Sequence, residues 1–239
     1  MKKMAFLLVL FVVPLRADLA GQIRAANGWV GYSVPIVDGR HLVCSWDEGI
    51  NIHDDDDFRS RSSALYVLYE VDHGKVVSVR LSSPECRSTR SNHWLVNIDP
   101  RESVRFLRSL IDDANDRGVA KKAVSALALH RDTVDQLIEI AKRHPVGKIR
   151  SSALFWVSQR AGERAAGVLR DAIDNDPEES VRTKAVFGIS QLPNDKSIPL
   201  LIELMKTHKS PAVRKKAAFW LGQKDDPRAL AALEDILTH

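Results

Sequence analysis

One spacing constrains this chain more than any other feature: Leu137, Leu169, Leu201 and Leu233 recur every 32 residues. Val134, Ala166, Ile198 and Leu230 keep the same interval, as do Ala141, Ile173, Met205 and Leu237. Within this set the columns are three, four and seven residues apart, the period of a helix with one buried face. A second, offset set comprises Val119, Ile149, Val181 and Val213 with Ala123, Ala153, Ala185 and Ala217, at intervals of 30, 32 and 32. Two apolar helical faces per period are the mark of stacked helical hairpins, in which each unit buries its face only against its neighbours. The columns predict four repeats, each a helix A followed by a helix B, with a turn two residues shorter in the first.

The period changes at Asp99-Pro100-Arg101-Glu102, where a capping Asp, a Pro suited to the first helical position and a capping-box acid start a helix. Val104, Leu107, Leu110, Ile111 and Ala114 follow at helical spacing and match the B columns, so this helix reads as a half-repeat sealing the stack. Before it, from about 28 to 98, the period is two. WVGYSVPIV puts Val30, Tyr32, Val34 and Ile36 on one face, and HLVCSW does the same with Leu42, Cys44 and Trp46. ALYVLYEV and KVVSVRL, joined by Asp72-His73-Gly74-Lys75, predict a hairpin with a two-residue loop. The expected fold class is α+β: a small N-terminal β-rich domain (21–98) followed by an all-α solenoid of helical hairpins (99–239).

The helical units resemble HEAT repeats of the short bacterial type. Asp176-Pro177 and Ser210-Pro211 open helix A, Val181-Arg182 and Val213-Arg214 follow one turn in, and Leu221-Gly222 ends the last A helix. DKSIPLL at 195–201 is similar to the family's opening of helix B. The pattern departs where Gly147-Lys148-Ile149 stands in the second repeat and where Ala120 stands for the Arg in the first. The resemblance implies a solenoid and a general capacity to bind proteins. The β-rich segment followed by such repeats is similar to a family of exported bacterial HEAT-repeat proteins.

Lys2 and Lys3, the apolar run Ala5 to Leu15 and the small residues Ala17 and Ala20 predict a secretory signal peptide over 1–20, cleaved after Ala17 or Ala20. The run is too short to span a membrane, so no stable span is expected after cleavage. With Lys2, Lys3 and Arg16 removed, the 35 basic and 31 acidic residues come close to balance, which gives no support to nucleic-acid binding. The remaining charge is uneven, with 12 basic and 16 acidic groups over 18–118 against 20 and 15 over 119–239. Cys44 and Cys86 are the only cysteines, and in an oxidising compartment they are expected to form one disulfide.

Five sets of residues invite a chemical reading. The blocks RSSALFWV (150–157), RTKAVFGI (182–189) and RKKAAFWL (214–221) are expected to pack, because Gly188 replaces the Trp in one copy and a shared ligand site would not tolerate that. Arg150, Arg182 and Arg214 sit one residue past a buried Ile or Val, and their expected roles are bonds to inter-repeat carbonyls or carboxylates, or a basic ridge. Glu139, Asp171, Glu203 and Asp235 each follow a core Leu by two residues, about 200° around the helix. They form an acidic column that either pairs with nearby cations or docks a basic partner. Asp54 to Asp57 form an acidic loop in which consecutive acids without a following Gly do not fit an EF-type calcium loop, although a divalent ion is the alternative. His93-Trp94 beside Cys86 reads as a Trp in a small core, with the lining of a pocket as the alternative. No motif points to a catalytic residue, a metal or a cofactor.

Two functions follow as expectations. The first is an exported, non-enzymatic scaffold that binds a protein or peptide partner, basic where it meets the acidic column. The second is an enzyme or enzyme subunit with its site at the junction of the β-rich domain and the solenoid. Short arrays of this kind resemble those of bilin lyases.

Overall fold

A computed structural model describes residues 18–37, 63–84, 93–113 and 116–238. Within them, a four-stranded sheet is followed by a stack of helices, the α+β arrangement expected. Helix α1 (Leu19–Arg24) precedes strand β1 (Gly28–Pro35). Strands β2 (Ala64–Asp72), β3 (Lys75–Ser82) and β4 (His93–Leu95) complete a sheet of order β3-β2-β1-β4. The β2–β3 hairpin turns at His73 and Gly74, with φ of 47° and 75°, the two positive values that a tight hairpin turn requires. Val30, Tyr32, Val34 and Ile36 are all buried, as the period-two reading requires. The short β4 runs parallel to β1 through Val30↔His93 and Tyr32↔Leu95. Trp94 is not in the core as expected. It is 38% exposed on the outer sheet face, edge-on to Tyr66 and lying over Gly31, where a Cβ would meet its ring at 3.0 Å.

Nine helices follow among the described residues: α2 (Pro100–Asp113), α3 (Arg117–Leu129), α4 (Val134–Arg143), α5 (Gly147–Arg160), α6 (Ala165–Asn175), α7 (Glu179–Ser190), α8 (Asn194–Thr207), α9 (Pro211–Leu221) and α10 (Pro227–Thr238). Helices α3, α5, α7 and α9 are the A helices and pack on one another in series; α4, α6, α8 and α10 are the B helices, with α2 as the leading half-repeat. The columns explain this stacking. Ala123, Ala153, Ala185 and Ala217 are each fully buried, and their small side chains let successive A helices approach closely. Leu137, Leu169 and Leu201 are likewise fully buried, whereas Leu233 is only partly covered and Leu230 is 61% exposed. Among the described residues the apolar face is less covered at α10, beside an open groove of about 440 Å³ lined by Met205, Leu233 and Ile236.

The sheet closes the other end of the stack. Its inner face, with Tyr32, Val67 and Tyr69, packs on Phe106 of α2 and against α3, in one continuous core with the repeats. Val37 N donates to Leu129 O at 2.9 Å, which ties the chain after β1 to the end of α3. Cys44, Cys86, Leu42, Trp46 and the acidic run Asp54 to Asp57 lie outside the described residues, as do residues 1–17.

Candidate interaction surface

The two faces of the stack treat charge in opposite ways. On the B side, every carboxylate of the 32-residue column meets a cation from the preceding B-type helix. Arg108 of α2 reaches Glu139 of α4 at 3.5 Å, and Lys142 of α4 reaches Asp171 of α6 at 3.4 Å. Arg170 of α6 reaches Glu203 of α8 at 2.7 Å, and Lys206 of α8 reaches Asp235 of α10 at 2.6 Å. The four acids are about half exposed, at 47% to 54%. The Arg170 hydrogen bond holds the Glu203 carboxyl below its usual range, and Asn175 and then Lys142 do the same for Asp171. The column is a ladder of exposed inter-repeat ion pairs, each worth about 0.2–1 kcal/mol, and it offers little unbalanced negative charge.

The arginine column is spent inside the fold. Arg150 is 5% exposed and binds Asp176 through two bonds, Nε at 2.7 Å and Nη2 at 2.9 Å. Its remaining donors reach Glu178 Oε1 at 3.1 Å and the carbonyls of His144 at 2.8 Å and Pro145 at 3.1 Å. Arg182 and Arg214 repeat the carbonyl half of this pattern. Each bonds the residue six before it, Asp176 O at 2.7 Å and His208 O at 2.8 Å, and then the residue five before. These carbonyls end the B helices, whose last C=O groups have no partner inside the helix.

The acceptor side of this turn motif is a column that the sequence reading missed. His144, Asp176 and His208 are 32 residues apart and are the C-cap residues of α4, α6 and α8. Each accepts a backbone hydrogen bond from two residues later: Val146 N on His144 Nδ1 at 3.1 Å, Glu178 N on Asp176 Oδ1 at 2.9 Å, and Ser210 N on His208 Nδ1 at 3.1 Å. Its 32-residue interval is the signal that marks it in the sequence.

The junction of sheet and stack contains a buried polar chain, also missed. Tyr69 and Tyr32 hydroxyls are 2.8 Å apart, Tyr32 and Ser103 2.7 Å, and Ser103 and His130 Nε2 2.7 Å. His130 Nδ1 lies 2.8 Å from Ala126 O, which only accepts, so Nδ1 carries the proton and Nε2 accepts from Ser103. Every hydroxyl therefore donates toward His130, and all groups are satisfied. Burial pushes the Tyr32 hydroxyl up to about 12 and lowers the His130 imidazole from 6.5, with Arg160 adding to the second effect. The side chains of this junction thus bond to one another. Among the described residues, no group of three or more His, Cys, Asp or Glu converges as for a metal ion.

The A side is different. Phe155, Phe187 and Phe219 recur every 32 residues, and Phe155 and Phe219 are 37% and 52% exposed. Phe155 stacks on Phe187 at 6.3 Å, and Phe187 tilts against Trp220 at 4.8 Å. The Trp partners split: Trp156 is buried and donates to Ser125 Oγ at 3.2 Å, while Trp220 is half-buried. At the intervening position a Cβ on Gly188 would lie 2.5 Å from Leu169 Cδ2, which is why no large residue stands there. The blocks thus pack on one side and leave an aromatic ridge on the other.

Beside this geometry stand the likenesses to known proteins. No curated protein matches the chain. Among solved structures, a chain in the complex of CpcE and CpcF of phycocyanin lyase from Nostoc sp. PCC7120 is 23% identical over 57% of this chain and 91% of that one, with a TM-score of 0.44. The family model for HEAT repeats matches residues 166–239, the stretch from α6 to α10 in which the 32-residue register is unbroken.

Proposed function

We propose that this is an exported, non-enzymatic binding protein whose helical stack presents a long surface to a protein partner. One observation carries the reading: the 32-residue register persists at exposed positions, where the core does not need it. Phe155 and Phe219, with Lys184 and Lys216, keep it on the A side, and Phe187 between them is half-buried. Equivalent side chains displayed at each step of a stack suit an extended partner. The acidic column supports the stack, since its carboxylates already face cations.

Two measurements test this. Affinity capture by the mature chain from the exported fraction is expected to retain one protein in stoichiometric amount; recovery of none overturns the binding role. N-terminal sequencing of the exported protein is expected to begin at Asp18. Asp18 Oδ1 accepts the Gly21 N–H at 2.7 Å and Leu19 is 2% exposed, so cleavage after Ala20 would strip a cap and a core residue from α1. An intact Met1, or retention in the cytoplasm, overturns export.

A further inference from the structure

We infer that the A-helix face binds an acidic, extended polypeptide segment with apolar side chains, its carboxylates meeting the lysines and its apolar groups the phenylalanine ridge. The inference rests on the binding role above and names the face and the partner's chemistry. Helices α3, α5, α7 and α9 contain eleven Lys and Arg against a single carboxylate, Glu179. The B helices α4, α6, α8 and α10 contain six against eight. Some A-side cations are spent: Arg150, Arg182 and Arg214 on turn carbonyls, and Arg160 on the carbonyls of Ala128 and His130. Lys122, Lys184 and Lys216 are exposed and face no carboxylate among the described residues. They occupy one column at intervals of 62 and 32, with Ser152 at the intervening repeat.

Each of these positions precedes the ridge column by three residues, one helical turn: Lys184 with Phe187 and Lys216 with Phe219, whose ring centre lies 5.5 Å from Lys216 Nζ. A lysine row and a phenylalanine row therefore run side by side across α7 and α9. Successive A helices lie about 8–10 Å apart, the span of three extended residues at about 3.3 Å each. An acid at every third position of an extended chain would meet successive helices. A nucleic-acid strand fits less well, because bases stack on open ring faces. Here Phe155 and Phe187 cover each other, and Trp220 lies against Phe187.

The test is binding of the full chain to a random glutamate–tyrosine copolymer, to polyglutamate and to oligo(dT), by anisotropy at low and physiological salt. The copolymer is expected to bind most tightly. Lys184→Glu/Lys216→Glu is expected to weaken it at least tenfold, and Phe155→Ser/Phe219→Ser about fivefold, with unchanged circular dichroism. The swap Arg170→Glu/Glu203→Arg on the opposite face is expected to leave it unchanged. Equal binding by the lysine variant, or tighter binding of oligo(dT) that the same variant abolishes, would overturn the inference. If a captured partner is still held by the lysine and phenylalanine variants, the binding role stands and this face is not its site.

Discussion

Arg170 on α6 donates to Glu203 on α8 at 2.7 Å, while its Nε holds Asp174 on its own helix at 2.8 Å. One guanidinium thus joins two repeats and braces the helix it stands on. The same step recurs along the B side with Arg108, Lys142 and Lys206 as the cations. Because the groups are half exposed, water and salt screen them. A double-mutant cycle on Arg170 and Glu203 is expected to give a coupling of about 0.2–1 kcal/mol, falling as salt rises. Urea unfolding at two ionic strengths measures it.

Arg150 belongs to a different regime. Its side chain is 6% exposed and that of Asp176 5%, so removing the cation leaves a buried carboxylate facing unpaired carbonyls. Arg150→Ala is expected to cost about 3–5 kcal/mol. Arg150→Lys should rescue little, because an ammonium cannot make the paired bonds to Asp176 and also reach two carbonyls. Arg214→Ala, which loses carbonyl bonds alone, is expected to cost about 1 kcal/mol. Denaturation midpoints of the three variants give the order.

Gly188 offers a test of the repeat logic itself. Restoring the Trp of the neighbouring copies with Gly188→Trp should make the sequence more regular and the protein less stable. The indole would enter space held by Leu169, and overpacking of this kind costs about 1–3 kcal/mol. Adding Leu169→Ala should recover part of the loss. Thermal unfolding of the single and double variants decides it.

The His130 chain predicts a pH dependence. Burial lowers this imidazole from 6.5, so in acid the unfolded chain takes up a proton that the folded chain refuses. Stability is therefore full above 6.5 and falls as pH drops below it, by at most about 1.4 kcal/mol per pH unit, until the folded imidazole also protonates. The lowered carboxyls of Asp171 and Glu203 titrate below this window. His130→Asn is expected to be less stable at pH 7.5 and to flatten the slope between pH 7 and 5. An unchanged slope would assign the dependence elsewhere.

How much of this was legible in the sequence follows from what forces a residue to recur. The core columns did, because every repeat buries the same face, and they located both helix sets. The acidic column was visible too, but its cations were not. Arg108 and Arg170 follow their core Leu by one residue, Lys142 and Lys206 by five, one turn further on, so no fixed interval connects them. Ser103 and His130 are single residues, and only the packing of the sheet on α2 and α3 brings them to the two tyrosines. Strand β4 has three residues, too few for a period to register, which is why Trp94 was assigned to a core it does not occupy.

The central claim is that the stack binds a protein through a repeated exposed face, and site-specific photo-crosslinking in the producing cells tests it most directly. A photoreactive residue at Phe155 or Phe219 on the A face should give one discrete adduct with one partner, and the same residue at Val77 on β3, 41% exposed, should give none. No adduct from either A-face position, or the same adducts from Val77, would contradict it.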